Sequence, residues 1–236
     1  MYLGVRMEAT MSMAEKGLLD QFDVFIFDWD GTLTQMHFLR KLNQMLNPSW
    51  RYKKRKTRLR LEAGGTEVHQ IVHTKRRYEV EMRAMEFKNR LLIGMIELSL
   101  KFVKPHLQEY AKEVISTLYK RNKKIALLTD ANPYRALREL SEERISNYFD
   151  VVVSGQEINA LKPNPAGIDT VLYALNSHKN KDRAVYVCDM VDDVLAAKNA
   201  GVRACAVANG VESYERLSKA RPWRLFSSME SLHDAL

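Results

Sequence analysis

Residues 23–34, Asp-Val-Phe-Ile-Phe-Asp-Trp-Asp-Gly-Thr-Leu-Thr, constrain this chain more than any other stretch. Val24 to Phe27 form an unbroken run of β-branched and aromatic residues. An all-apolar run suits a strand covered on both faces, as in a parallel sheet. Asp28 and Asp30 follow at once, and Gly31-Thr32 break the strand. With a strand period of two, these acids lean to one side, about 6–7 Å apart along the chain. Two carboxylates at the end of a buried strand are costly unless they are paired, hydrogen-bonded or metal-bound. The plain alternative is a strand capped by ordinary turn aspartates.

Downstream of Pro105, strand and helix signals alternate. Strands are expected at Ile125–Leu128, Val151–Val153, Ala184–Cys188, Arg203–Val207 and Trp223–Phe226. Helices are expected between them: one carrying Tyr110, Val114, Ile115, Leu118 and Tyr119, one from Pro133 to about Ile145, and one opening at Pro165. Val191–Ala200 is expected to end at Gly201, and further helices are expected at 211–220 and 229–236. This alternation predicts an α/β fold, a parallel sheet with helices on both faces and right-handed crossovers.

Residues 35–104 break the pattern and read as almost entirely helical. Phe38, Leu39, Leu42, Met45 and Leu46 recur at helical steps before Pro48, and Val68, Ile71, Val72, Tyr78, Met82 and Met85 form a second stripe. The segment is far longer than an ordinary strand-to-helix connection. It is therefore expected to be a small helical domain, 35–104, inserted into a core made of 1–34 and 105–236. Met82, Met85 and Met95 are expected to pack within it.

Composition excludes several classes. No run approaches the roughly 18 apolar residues of a membrane span, and the Met-rich start lacks the apolar core of a signal peptide. The two cysteines, Cys188 and Cys205, lie in apolar runs and read as buried strand residues, which fits a reducing, cytoplasmic setting. The net charge is +8 in 236 residues, but Arg51, Lys53, Lys54, Arg55, Lys56, Arg58 and Arg60 supply seven of those charges. The rest is close to neutral, so general nucleic-acid affinity is not expected, and only segment 51–60 leaves it open as a partner. His69 and His73 have zinc-compatible spacing, but no third ligand accompanies them.

Three further polar groups stand where strands should end: Thr129-Asp130 after Leu128, Lys162-Pro163 in the loop after Val153, and Asp189 with Asp192 and Asp193 after Cys188. Open parallel sheets bind ligands beyond the carboxyl ends of their strands. Asp28, Asp30, Asp189, Asp193, Thr129 and Lys162 should thus converge at one edge. Clustered carboxylates repel unless a hard cation neutralises them, and oxygen-only donors favour magnesium. Thr129 and Lys162 supply donors for phosphate oxygens.

Together, Asp28-Trp29-Asp30-Gly31-Thr32, Leu128-Thr129-Asp130, Lys162-Pro163-Asn164-Pro165 and Asp189–Asp193 resemble the four motifs of the haloacid dehalogenase superfamily, in order, over roughly residues 22–208. The resemblance implies a Rossmann-like core with a helical cap inserted after the first strand, as in phosphoglycolate-phosphatase-like members, and a magnesium-dependent phosphatase acting on a small phosphorylated metabolite. It implies Asp28 as the nucleophile that becomes an aspartyl-phosphate and Asp30 as the acid that later activates water. Thr129, Asp130 and Lys162 would line the phosphate site. Asp28, the Asp30 carbonyl and Asp189 would hold Mg2+, with Asp193 acting through water. Asp193 fits the family's offset better than Asp192, which reads as an acid favoured by the helix dipole. Cys188 stands where glycine is commoner, and Asp130 where asparagine is frequent. A phosphomutase of the same superfamily is the alternative within the enzyme class. A scaffold or nucleic-acid-binding protein using segment 51–60 is the alternative outside it.

Overall fold

The computed structural model describes residues 17–35, 103–158 and 160–236, with Met95 and Ser99. The expected helical insertion lies almost wholly outside the described residues. So do the basic segment 51–60, His69, His73, Met82 and Met85. Met95, expected to pack inside that insertion, is 59% exposed.

Six strands form one sheet: β1 (Val24–Phe27), β2 (Lys124–Thr129), β3 (Val151–Ser154), β4 (Ala184–Cys188), β5 (Arg203–Val207) and β6 (Arg224–Phe226). Their order is β3-β2-β1-β4-β5-β6, and every neighbouring pair is parallel. β1 lies centrally, with Phe27 in register with Leu127 on one side and Val187 on the other. The chain travels outward from β1 through β2 to β3, then crosses back to β4 on the opposite side. The reversal places a crevice at the carboxyl ends of β1 and β4.

Strand periodicity sorts the buried residues into two cores. Val24, Ile26, Ala126, Leu128, Tyr186 and Cys188 face one side, where they meet Ile168, Val171 and Leu172 of the helix Ala166–Ala174 and Val194 and Ala197 of the helix Val191–Ala200. Phe25, Phe27, Ile125, Leu127, Val185 and Val187 face the other side, against Val114, Ile115 and Leu118 of the helix Ala111–Lys120 and Ala136 and Leu140 of the helix Pro133–Glu142. Successive side chains of a strand point to opposite faces, so a strand between two helical layers must be apolar at every position. Each fully buried phenylalanine of β1 contributes roughly 1.5–3 kcal/mol by leaving water.

Some boundaries differ from the sequence expectation for local reasons. The helix expected to reach Ile145 stops at Glu142, because Arg144 takes a left-handed conformation (φ 56°) and Ser146–Tyr148 then form one 3-10 turn. The expected 211–220 helix begins only at Tyr214, where Ser213 caps it by accepting from the Arg216 N–H. Val191–Ala200 ends as expected on Gly201, whose φ of 73° suits glycine. Both cysteines are free and buried, on β4 and β5.

The chain on either side of the expected insertion meets at one point. The Gln35 N–H donates to the His106 carbonyl (2.8 Å), the Gln108 N–H donates to Leu33 (2.8 Å), and Thr34 bridges to Leu107. This junction is next to the turn that carries Asp28 and Asp30.

Candidate active site

β1 ends at Phe27, and the turn that follows sets the two leading acids apart. Asp28 continues the β1 hydrogen bonding, donating its N–H to the Val187 carbonyl (3.0 Å). The chain then folds back, with Leu33 and Thr34 N–H groups both donating to the Trp29 carbonyl (3.2 and 3.0 Å). Asp28 ends up buried against Lys162, while Asp30, partly exposed, faces Arg135. The two carboxylates therefore sit in separate ion pairs, which the strand period alone does not anticipate.

Lys162 comes from the loop between β3 and the helix Ala166–Ala174. Its Nζ donates to Asp28 Oδ1 (2.5 Å) and to the Tyr186 hydroxyl (3.1 Å), and lies 2.8 Å from Asp193 Oδ1. Tyr186 in turn donates to Asp193 Oδ1 (3.2 Å). Burial disfavours the charged ammonium, but Asp193 and Asp28 outweigh that and hold the Lys162 pKa well above the usual lysine range. Burial pushes the Asp28 carboxyl well above the usual carboxylate range; Lys162 opposes this, while Asp193 and Asp189 add to it.

Asp189 follows β4 and is fully buried. Oδ1 accepts from the Thr32 hydroxyl (3.0 Å), and Oδ2 accepts from the Val211 N–H (2.7 Å). Burial, reinforced by Asp193, pushes its pKa up to about 7 against these two hydrogen bonds. Two glycines make room for it. Gly31 has φ +94°, and a Cβ at either Gly31 or Gly210 would collide with the Asp189 carboxylate. At Gly210 the same Cβ would also come within 2.6 Å of the Gly31 carbonyl oxygen, which is backbone and cannot yield. Gly210→Ala is accordingly expected to destabilise the protein by about 1–3 kcal/mol through overpacking. Thermal denaturation checks this, and an unchanged melting temperature would show that the 209–211 loop gives way.

Asp28, Asp189 and Asp193 bring ligand oxygens within 4.8 Å of one another, all buried. Asp193 Oδ2 is buried with no hydrogen-bond partner among the described residues. Three carboxylates around one ammonium leave two negative charges, which one divalent cation neutralises. All the donors are oxygens, the set that hard cations such as magnesium prefer. The residues present therefore fit such an ion. Asp192 lies beside Asp193 in the first helical turn but is not part of this cluster. The Asp30 carboxylate is also outside it, being held by Arg135.

Thr129 ends β2, with its Oγ1 accepting from the Ala131 N–H (3.0 Å) and its hydroxyl proton left for another acceptor. The Asp130 Oδ1 accepts from the Lys162 N–H (3.4 Å), and the Asp130 carbonyl accepts from Gln156 (2.9 Å). Asp130 thus fastens the lysine loop to the end of β2. The structure brings Asp28, Lys162, Asp189 and Asp193 together, and places Thr129 and Asp130 on the adjoining strand end. Residues not read as functional from sequence also belong here: Tyr186, Thr32, Gln108, Arg135 and Glu139. Tyr186 had a signal, one hydroxyl inside an otherwise apolar strand. Arg135 had a weaker one, standing in the first turn of the helix that follows Thr129-Asp130. Gln108 donates to both Gly31 and Asn209 carbonyls (3.2 and 3.1 Å), tying the Asp30 turn to the loop over Asp189.

Fold and site define an α/β protein whose sheet edge gathers buried carboxylates ready for a cation. The chain belongs to the haloacid dehalogenase-like hydrolase family, whose sequence model matches residues 25–207. A pyrophosphatase, PpaX, from Halalkalibacterium halodurans is 28% identical over 134 residues, 57% of this chain and 60% of that protein. A phosphoglycolate phosphatase from Vibrio parahaemolyticus is 30% identical over 129 residues, 54% of this chain and 55% of that protein. The chain thus spans little more than half the length of these curated relatives. A haloacid dehalogenase-like protein from Agrobacterium tumefaciens has the same fold, with a TM-score of 0.62 at 20% identity, covering 89% of this chain and 96% of that one. No helix among the described residues is long and apolar enough to cross a membrane.

Proposed function

We propose that this protein is a magnesium-dependent phosphatase that hydrolyses a small phosphate monoester through an aspartyl-phosphate. The observation that carries the reading is the buried group of Asp28, Asp189 and Asp193 around Lys162 at the sheet's switch point. Membership of a hydrolase family and relatives named as phosphatases agree with it.

Asp28 attacks phosphorus through a carboxylate oxygen, and the leaving oxygen departs in line. Lys162 favours the ionised nucleophile and donates to the transferring phosphoryl oxygens, and the Thr129 hydroxyl donates to them as well. Asp130 holds the lysine loop in reach of that group. Asp30 gives a proton to the leaving oxygen, then takes one from the water that cleaves the aspartyl-phosphate. Asp28, the Asp30 carbonyl and Asp189 would hold Mg2+, with Asp193 supporting it through water. When bound, the ion offsets charge on the phosphoryl oxygens. Residues 35–104 serve as a helical cap; Gln35 and His106, at its two sides, are hydrogen-bonded beside the Asp28–Asp30 turn, where motion of a cap would admit substrate and then exclude water.

A panel of phosphorylated metabolites, including pyrophosphate and phosphoglycolate, scored for phosphate release with Mg2+ and with EDTA, tests this. Release by the wild type, lost in EDTA, is the expected result. Isomerised sugar phosphate without free phosphate would make the protein a mutase. Inactivity across the panel with Mg2+ present would overturn the reading.

A further inference from the structure

We propose that Arg135 is a positioning residue for the proton-transfer step, fixing the Asp30 carboxylate from a charge relay rooted in the buried Glu139. The inference rests on the phosphatase reading above, because it concerns how Asp30 is aimed.

Arg135 stands in the first turn of the helix Pro133–Glu142, which begins directly after the β2 motif. Its two terminal nitrogens take both oxygens of Asp30: Nη1 donates to Oδ1 at 3.1 Å, and Nη2 donates to Oδ2. A fork of parallel hydrogen bonds fixes the plane of a carboxylate as well as its position, which a lysine cannot do. Arg135 is braced from behind. One helical turn later, Glu139 Oε1 lies 3.7 Å from Arg135 Nη1 and 3.6 Å from Arg138 Nη2. Glu139 is fully buried, and its Oε2 accepts from the Trp29 indole N–H at 2.6 Å. Trp29 is also fully buried and is the residue before Asp30. The path Trp29, Glu139, Arg135, Asp30 therefore closes on itself and locks the helix start to the Asp30 turn. A solvent-facing arginine recruited only to contact substrate would need none of this. A buried glutamate supported by two arginines and an indole is a costly feature unless it holds something in place.

The Asp28–Lys162 pair is held by Tyr186 and Asp193, whereas Arg135 reaches Asp30 and Glu139. Its removal should therefore mimic loss of Asp30 and leave the nucleophile intact. One carboxylate oxygen can exchange a proton while the other stays on the guanidinium, so the clamp and the chemistry are compatible.

The test uses the full chain with Mg2+ and a series of aryl phosphates whose leaving groups range from nitrophenol to unsubstituted phenol. kcat/KM reports the phosphoryl-transfer step, and general acid catalysis matters most for the poorest leaving group. Asp30→Asn should steepen the dependence on leaving-group basicity. Arg135→Gln should steepen it in the same sense, with a loss of about 10–100-fold for phenyl phosphate and little for nitrophenyl phosphate, less than the roughly 100–10,000-fold that a positioned general acid supplies, because Asp30 is still present. The double variant should be no slower than Asp30→Asn alone, because the two act as one unit. Arg135→Lys should not restore the rate. Tyr134→Ala, an exposed neighbour on the same helix, should match the wild type. If Arg135→Gln folds poorly, Glu139→Gln, which keeps shape and the indole contact, should give a milder loss with the same leaving-group pattern. An equal loss with every leaving group, or a loss that adds to that of Asp30→Asn, would overturn the proposal while leaving the phosphatase reading standing. A wild type inactive on every aryl phosphate and metabolite would overturn both.

Discussion

Asp28→Asn is expected to abolish phosphate release while raising the melting temperature of the metal-free protein. The activity loss follows from chemistry. An amide oxygen is a poor nucleophile toward phosphorus, and removal of a covalent nucleophile costs at least about a thousandfold in rate. The stability gain follows from electrostatics. Asp28 is buried, and its carboxyl is held well above the usual range by that burial, with Asp193 and Asp189 also opposing ionisation. At neutral pH an ionised Asp28 is a burden on the metal-free fold, and asparagine removes it while still accepting from Lys162. Activity assay and thermal denaturation in EDTA read the two effects separately. If the variant retains more than about a tenth of the activity, Asp28 is not the nucleophile. If its melting temperature falls, the Lys162 ion pair outweighs the carboxylate repulsion, and the charge accounting for the cluster is wrong.

Magnesium should stabilise the protein strongly at pH 8 and weakly at pH 5.5. Asp189 has a folded-state pKa of about 7, against 3.8 ordinarily. Between about pH 4 and 7 the folded protein therefore binds more protons than the unfolded chain, and stability falls as pH rises through that window. Asp28 acts in the same direction. A cation binds the ionised carboxylates, so below pH 7 it must displace a proton, whereas at pH 8 it enters a site already charged. At a hundredfold excess over Kd the gain is about 2.7 kcal/mol. That is several degrees in melting temperature for a domain of this size. Melting curves in EDTA and in Mg2+ from pH 5 to 8.5 check this. A metal-free protein that grows more stable from pH 5 to 8, or a magnesium shift that ignores pH, would contradict the assignment of Asp28 and Asp189 as ligands of the ion.

Much of the fold was legible because burial on two faces leaves a mark in the chain. Ala184–Cys188 and Arg203–Val207 read as strands to the residue, since no polar side chain survives inside a doubly covered sheet except one with a partner, such as Tyr186. Gly201 marked a helix end because the left-handed turn there favours glycine. Helix ends set by local hydrogen bonds were less legible, as at Glu142 and Tyr214, where a turn or a serine cap decides the last few residues. The site was legible as a set of residue types at strand ends, because an open parallel sheet sends those positions to one edge whatever the loops do.

The chain by itself sent Asp28, Lys162, Asp189 and Asp193 to one edge, since that depends on strand order and strand ends, but it sent the Asp30 carboxylate there too, which the structure holds on Arg135 instead. Only the tertiary structure decided who pairs with whom. Asp28 and Asp30 are two residues apart, yet one lies against Lys162 from beyond β3 and the other against Arg135 from beyond β2. Pairing of that kind depends on ångström-scale placement of loops and helix starts that are far apart in sequence. A carboxylate's character, nucleophile or proton carrier, is set by the charges and burial around it, and those arrive only when the whole sheet has formed.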